Sequence, residues 1–186
     1  MGDFTLDFAF ELSSIYELPL FKEPGFAHSI LGGWELAGTI IDETGVPTVP
    51  SMSLNYDTIG LGGGYTNRPN VAGKVNKVGN VNNFFNTSAS LWSFPTPAWA
   101  GGANQGFGSS GRDAIPGPNR VNFTTSLYKS FAITERAHFE FRAESFNTFN
   151  HTEFNGVNNS FGNANFGKVT AFYDPRTLEL GGKFIF

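Results

Sequence analysis

The sequence predicts an all-β protein, an antiparallel up-and-down meander of six or seven strands. Apolar and polar residues alternate at period two in several long stretches, as in strands with one apolar and one polar face. The 23 glycines and many asparagines cluster between these stretches, as in proteins built from strands and turns. No run of about 18 apolar residues is present, so no membrane-spanning helix is expected.

The last ten residues, 177–186, show this alternation most clearly. One face carries Leu178, Leu180, Gly182, Phe184 and Phe186, and the other carries Thr177, Glu179, Gly181, Lys183 and Ile185. A soluble domain seldom ends with two Phe side chains on a strand, because termini fray and leave such groups in water. The stretch also has about the length of a tilted strand that crosses a bilayer. It therefore favours part of a transmembrane β-barrel, with the last strand of a soluble sandwich as the alternative.

Composition excludes several classes of function. Charged residues make up 15% of the chain, well below the roughly 25% of ordinary soluble domains, and Phe occurs 21 times. The net charge of −4 and the lack of a basic stripe argue against a nucleic-acid partner. Without cysteine there is no disulfide and no thiol catalysis. The start of the chain lacks the features of a signal peptide, which indicates either a cytoplasmic protein or a true N-terminus that lies elsewhere.

No motif for an enzyme or a cofactor is found. The glycines of 60–64 are not followed by Lys-Ser or Lys-Thr, and Ser109-Ser110 does not form a Gly-x-Ser-x-Gly elbow. His138, His151 and Glu153 lack the spacing of a metal site. We therefore expect no catalytic residue, no metal and no cofactor, with a metal-assisted hydrolase as a remote alternative.

The N-terminal half contains two predicted strands and one long loop. Alternation is complete over 3–12, and a second strand runs from Ile30 to Glu43, ended by Thr44-Gly-Val-Pro47. Gly- and Pro-rich residues 48–118 read as a loop that is functional or mobile, with a weak strand near 105–112.

Regular alternation returns in the C-terminal half. Strands are predicted at 121–133, 137–149, 166–173 and 177–186, separated by turns that include 150–165 and 174–176. In the second of these strands, Phe139 and Phe141 share one face, and Glu140, Arg142 and Glu144 share the other. So many ionisable groups on one face require that face to contact water.

Several motifs together resemble the C-terminal end of a TonB-dependent outer-membrane receptor of the carboxypeptidase-regulatory-like group. Those in the first half are Tyr16-Glu-Leu-Pro19, Gly33-Trp34, Thr44-Gly-Val-Pro47 and Asn67-Arg-Pro69. Those in the second half are Gly111-Arg-Asp-Ala-Ile-Pro-Gly-Pro118, Ser126-Leu-Tyr-Lys-Ser-Phe131, Ile133-Thr-Glu-Arg136, the run from Phe139 to His151, Asn165-Phe-Gly167 and Asp174-Pro-Arg176. Their order and spacing, rather than any single motif, carry the resemblance over nearly the whole chain.

The resemblance implies a location in the bacterial outer membrane and a role in uptake of a large or scarce nutrient. It implies contact with outer-membrane lipid, the barrel-assembly machinery and an unknown nutrient ligand. TonB would be reached only through an N-terminal part, with its plug domain, that this sequence lacks. The chain would then be a barrel fragment that is not transport-competent alone.

The resemblance also implies roles for individual residues. Glu179, Gly181, Phe184 and Phe186 match the terminal signal read by the assembly machinery. Glu140, Arg142 and Glu144 would face the barrel lumen, although a ladder of structural ion pairs is the plainer interpretation. The C-terminus and 147–165 would be periplasmic, whereas 174–176 and the loop 48–118 would be extracellular.

The sequence allows more than one role for the tryptophans, and it also allows a soluble protein. Trp34 suits an aromatic girdle at a membrane interface. Trp92 and Trp99 would either contact a ligand such as a glycan or hold the long loop together as core side chains. The alternative function is a soluble or secreted all-β module that binds a carbohydrate or another ligand, in which Phe184 and Phe186 are buried.

Overall fold

The computed structural model describes residues 7–53, 57–60 and 67–186. Part of the first predicted strand, 3–6, lies outside these ranges. The chain divides into two compact units, which we call the sheet unit and the aromatic unit. The sheet unit comprises 9–43, 120–153 and 174–186, and the aromatic unit comprises the residues up to Phe8, 44–119 and 154–173.

The described chain is all-β and almost entirely antiparallel, which confirms the predicted fold class. Its strands are β1 Ala9–Glu17, β2 Trp34–Thr48, β3 Ser51–Met52, β4 Asn70–Val71, β5 Lys77–Asn80, β6 Asn83–Phe85, β7 Trp92–Ser93, β8 Ile115–Ala132, β9 His138–Phe146, β10 Phe154–Val157, β11 Ser160–Phe161, β12 Val169–Phe172 and β13 Thr177–Ile185. The helical elements are α1 Phe26–Leu31 and two 3₁₀ turns, Ala98–Ala100 and Ala103–Gly106. Within the described ranges no helix has the length and apolarity needed to span a membrane.

The long strands form one five-stranded sheet in the order β1-β2-β8-β9-β13. Residues paired across neighbouring antiparallel strands project from the same face. Phe139 of β9 pairs with Phe131 of β8 and with Phe184 of β13. The next residue, Glu140, pairs with Ser130 and Lys183. The register therefore gives the sheet one apolar face and one polar face.

One predicted strand, 166–173, does not join this sheet. Its ordered part, β12, pairs instead with β10 in the aromatic unit. As a result β13 returns directly beside β9, with Thr177 opposite Phe146. The connection 147–176 thus begins and ends at one end of the sheet, and the C-terminus lies at the other end. The prediction that 147–165 and 174–176 lie at opposite ends is therefore wrong, because β12 pairs with β10 and is not a strand of the five-stranded sheet.

Two predicted strand ends are also wrong. β2 continues through Gly45 and Pro47, and β8 already includes Pro116 and Pro118. β2 and β8 continue through these residues because Gly45 and Gly117 let the two backbones approach closely. A Cβ at Gly45 would lie 2.3 Å from the carbonyl carbon of Gly117. Proline interrupts a strand only where its missing N–H is needed for pairing.

The beginning of the second predicted strand and the length of the first also differ from expectation. Ile30 belongs to helix α1, and β2 starts only at Trp34. β1 extends beyond Leu12 to Glu17, paired with β2 throughout. The end of β1 and the start of β2 are therefore set by pairing between these two strands rather than by local alternation.

The segment 48–118 is a folded part of the aromatic unit rather than a simple loop. Its core of buried side chains consists of Val75, Phe84, Phe85, Trp92 and Ile115. Phe161 and Phe166 pack against this core from the later part of the chain, with ring centroids 5.3 Å apart. The weak strand predicted at 105–112 is wrong, because a 3₁₀ turn and irregular backbone occupy these residues. Burial lowers the pKa of Lys77, whose ammonium lies 5.3 Å from the centroid of Phe84.

Candidate functional site on the polar face of the sheet

The polar face of the five-stranded sheet is the candidate functional site. Each long strand contributes alternate residues to it, because successive side chains point to opposite sides. Its central members are Ser13, Ile15 and Glu17 of β1, Glu35, Ala37 and Thr39 of β2, Ser126, Tyr128 and Ser130 of β8, Glu140, Arg142 and Glu144 of β9, and Glu179, Gly181 and Lys183 of β13. Carboxylates outnumber basic groups in this set, so the face is acidic.

The opposite face is apolar and largely uncovered. On β13, Leu178 is 68% exposed, Leu180 is 77% exposed and Phe184 is 67% exposed. Phe10 and Leu12 on β1 are also exposed. A soluble domain would bury such a continuous surface, because contiguous exposed apolar patches of this kind mark contact with a partner or a membrane.

The structure brings the three predicted polar-face residues of β9 together. Nη2 of Arg142 donates a hydrogen bond to Oε1 of Glu144 over 2.6 Å, and Oγ of Ser126 donates to the same oxygen over 3.2 Å. Glu140 lies 3.6 Å from Nε2 of His138. Because Arg142 is well exposed, its ion pair contributes only about 0–1 kcal/mol to stability. These groups therefore retain most of their capacity to bind another molecule.

A concavity of about 550 Å³ occupies the centre of the polar face. Its lining includes Glu35, Tyr128, Glu140, Arg142 and Lys183. A second concavity of about 450 Å³ shares Ile15, Ala37, Ser126 and Arg142 with the first. Together they form a groove that presents hydroxyl groups and charges of both signs. Such a surface suits a polar ligand that makes several hydrogen bonds.

Sequence reasoning missed several lining residues of this groove. Tyr128 stands among the polar residues of its predicted strand, and Lys183 among those of the last strand. Nothing in the sequence shows that Lys183 lies opposite Glu140, because that requires the register between two strands. Ile15 was missed because the first strand was predicted to end at Leu12, whereas Glu35 lay inside the second predicted strand and was not singled out as a site residue.

The residues of the predicted terminal signal divide between the two faces. Glu179 and Gly181 lie on the polar face of β13, and Phe184 lies on the apolar face. Phe186 follows the strand and is 98% exposed. These residues are accessible on or directly after β13, the last strand of the sheet in the described part of the chain, and their recognition by the assembly machinery stays a prediction.

The two tryptophans of the predicted ligand loop have different environments. Trp92 is 2% exposed, and its Nε1 donates to the carbonyl of Asn86 over 2.8 Å. Trp92 therefore holds the aromatic unit together and offers no surface to a ligand, which corrects its assignment as a possible ligand contact. Trp99 is 80% exposed on a 3₁₀ turn, and a ligand contact there stays a prediction.

A second polar cluster in the sheet unit surrounds Glu153, whose side chain is 2% exposed. Its carboxylate accepts hydrogen bonds from the backbone N–H of Val121 at 2.8 Å and from Nδ2 of Asn122 at 2.9 Å. Nε of Arg120 lies 4.0 Å away and Nε2 of His151 lies 3.6 Å away. The contacts from Val121, Asn122 and Arg120 join the segment that follows β9 to β8, so the cluster has a structural role in the sheet unit.

Comparison with known protein families decides the class of this protein. The sequence model for an outer membrane beta barrel domain matches residues 2–179. The chain belongs to this family. This outer membrane beta barrel domain is thus located in the outer membrane, as the sequence predicted. No significant similarity to a curated protein or to a solved structure is found.

The geometry of the sheet agrees with this membership. Outer-membrane barrels alternate apolar and polar residues along tilted antiparallel strands, and their connections are short at one end and long at the other. In this barrel domain the sheet end that carries the C-terminus also carries the connections 18–33 and 133–137. The two longest connections of the sheet, from β2 to β8 and from β9 to β13, lie at its other end.

Proposed function

We propose that this barrel domain is part of a TonB-dependent receptor that takes up a large or scarce nutrient across the outer membrane. The apolar face contacts lipid and the polar face lines the lumen. A polar ligand contacts Glu140, Arg142 and Glu144 on its way through. The aromatic unit lies on the extracellular side and presents Trp99. The motifs that resemble this receptor group support the proposal, and the domain is one part of the transport-competent receptor.

The separation of faces across all five long strands carries the proposal. An exposed apolar face is costly in water and stable in hydrocarbon, because lipid tails solvate it without ordering water. The opposite face holds ion pairs and an acidic groove, which hydrocarbon would not tolerate. Only a barrel wall between lipid and an aqueous lumen satisfies both faces at once.

The soluble binding module is the weaker alternative. It requires Phe184 and Phe186 to be buried in a sandwich core. Phe184 is 67% exposed and Phe186 is 98% exposed, whereas the fully buried aromatic side chains among the described residues belong to the aromatic unit. These exposures favour the membrane assignment for the sheet unit.

Genetic interaction with TonB tests the transport proposal. A strain that lacks the gene for this chain and a strain that lacks TonB are compared for growth on a panel of limiting carbon and metal sources. We expect a shared growth defect on at least one nutrient, and no further defect in the double deletion, because both proteins act on one uptake step. If deletion of the gene for this chain reduces growth as much in the strain that lacks TonB as in the strain that has it, the two defects add and the proposal is contradicted.

A matched pair of arginine substitutions on β13 tests which face contacts lipid. Leu180→Arg is expected to destabilise the domain in phosphatidylcholine vesicles by about 2–4 kcal/mol, the cost of arginine on the lipid face near the bilayer centre. Glu179→Arg, one residue away on the polar face, is expected to change stability by less than about 1 kcal/mol. Denaturant titration of both variants in vesicles measures the difference.

If the apolar face of β13 stayed in water, the outcome for the same pair would differ. Both side chains are exposed, and substitutions at exposed sites in water usually change stability by no more than about 0.5 kcal/mol. Equal stability of the Leu180→Arg and Glu179→Arg variants would therefore count against a lipid-facing surface.

A further inference from the structure

The connection between β1 and β2, residues 18–33, has an unusual distribution of apolar groups. Its short helix α1 has Phe26, Ile30 and Leu31 on one side and His28 and Ser29 on the other, at 100° per residue. In a soluble protein the apolar side of such a helix packs on the core. Here Phe26 is 83% exposed, Ile30 is 44% exposed and Leu31 is 46% exposed.

The polar side of the helix bonds to the connection itself. Nδ1 of His28 lies 2.6 Å from the carbonyl oxygen of Phe21, and Oγ of Ser29 donates to the carbonyl of Gly25 over 3.2 Å. Phe21 is also half exposed. The polar groups of the helix are therefore satisfied internally, and its apolar groups point away from the protein.

Two contacts attach this connection to the apolar face of the sheet. Nζ of Lys129, on β8, donates a hydrogen bond to the carbonyl of Gly32. Nε1 of Trp34, on β2, donates to the carbonyl of Ile30 over 3.2 Å. Both side chains belong to the apolar face, because both lie near the ring of Phe131. The ring centroids of Trp34 and Phe131 are 6.1 Å apart, and Nζ of Lys129 lies 4.9 Å from the centroid of Phe131. Ile30 and Gly32, at the end of the connection, thus contact side chains of the apolar face of the sheet.

The environment of Lys129 shows how a cation is accommodated on the apolar face. Its side chain is 3% exposed, although all its strand neighbours on this face are apolar or small. An unpaired ammonium facing hydrocarbon costs several kcal/mol. The Gly32 carbonyl and the two aromatic rings provide partners, so the connection covers the only lysine among the described residues of the β8 apolar row.

We propose that residues 18–33 form a membrane-interface anchor, in which Phe26, Ile30 and Leu31 enter the boundary between lipid headgroups and acyl chains. The occupant is a bilayer because the anchor is continuous with the apolar face, and this step rests on the lipid-facing assignment in the proposed function. Tryptophan side chains such as Trp34 are enriched at this depth. Amphipathic segments of this kind enter by about 5–10 Å. The anchor fixes the height of the barrel wall at the end that carries the C-terminus.

Site-directed fluorescence in the complete chain tests the anchor, since the sequence contains no cysteine to interfere. Single variants Phe26→Cys and Ile30→Cys are labelled with an environment-sensitive fluorophore and folded into dioleoylphosphatidylcholine vesicles. Lipids with a nitroxide on the headgroup or in the middle of the acyl chain act as quenchers. Phe184→Cys serves as the lipid control, and Ser130→Cys, beside Lys129 on the polar face, serves as the aqueous control.

We expect both anchor labels to emit at shorter wavelength than the Ser130 label and to lose most fluorescence with the headgroup nitroxide. The Phe184 label should be quenched as well. If the Phe184 label is quenched and both anchor labels behave like the Ser130 label, the anchor is refuted and the proposed function stands. If the Phe184 label is also unquenched, the lipid-facing assignment fails and the anchor fails with it. The use of two anchor positions covers the case in which one variant does not fold.

Discussion

Trp92→Ala is expected to lower the free energy of unfolding of the aromatic unit by about 3–5 kcal/mol, the usual cost of truncating a buried aromatic side chain. Trp92 is 2% exposed, and its ring centroid lies 5.3 Å from that of Phe166 and 6.1 Å from that of Phe85. Its removal leaves a cavity at the centre of the core and frees the carbonyl of Asn86. Denaturant unfolding, monitored by hydrogen exchange of the amides in β6 and β12, measures the loss.

Trp99→Ala is the matched control for this prediction. Trp99 is 80% exposed, and substitutions at such sites usually change stability by no more than about 0.5 kcal/mol. The two variants remove the same atoms, so the difference between them isolates the contribution of burial. Similar stabilities for both variants would contradict the folded aromatic core and restore the interpretation of 48–118 as a loop.

Glu153→Leu is expected to destabilise the sheet unit by about 3–5 kcal/mol, the usual cost of removing one partner from a buried charged cluster. The substitution leaves the Val121 N–H and the Asn122 side-chain amide without their acceptor. It also removes the carboxylate that faces Arg120 and His151. Buried donors without partners are costly, because water no longer solvates them. Denaturant titration in detergent micelles measures the change.

Two further variants separate the role of the Glu153 carboxylate from that of its size. Glu153→Gln retains one acceptor oxygen and a similar volume, so we expect a smaller loss than for leucine. Glu179→Gln changes an exposed carboxylate and should have little effect. Faster hydrogen exchange at the Val121 amide in Glu153→Leu would locate the damage at this contact. Unchanged exchange there would show that the carboxylate does not hold the end of β9 against β8.

Much of the sheet unit was predictable from single strands. Alternation along 177–186 and around Phe139 and Glu140 assigned both faces correctly, because a strand with period two reports the polarity of its two sides directly. The grouping of Glu140, Arg142 and Glu144 follows from the same rule. Lys129 places a charge in an otherwise apolar row of β8, but its partner Gly32 is remote in sequence and required the structure.

The errors all concern which segments pair with which. The strand predicted at 166–173 has the right local pattern, yet β12 pairs with β10, and its Val169 packs against the core of the aromatic unit. Local alternation gives the polarity of a face and carries no information on the neighbouring strand. The same limitation hid the concave groove, since Tyr128, Arg142 and Lys183 meet only through the registers of three strands.

The resemblance of its motifs to a receptor group implied the outer membrane, and the sequence by itself determined that the chain is all-β and that its long strands have one apolar and one polar side. These properties depend on neighbours along the chain, where side-chain direction follows directly from backbone geometry. Only the tertiary structure decided that 48–118 folds around Trp92, that β13 returns beside β9, and that the β1–β2 connection covers Lys129. Those features depend on contacts between distant residues, and such contacts are selected by the free energy of packing the whole chain rather than by any local pattern.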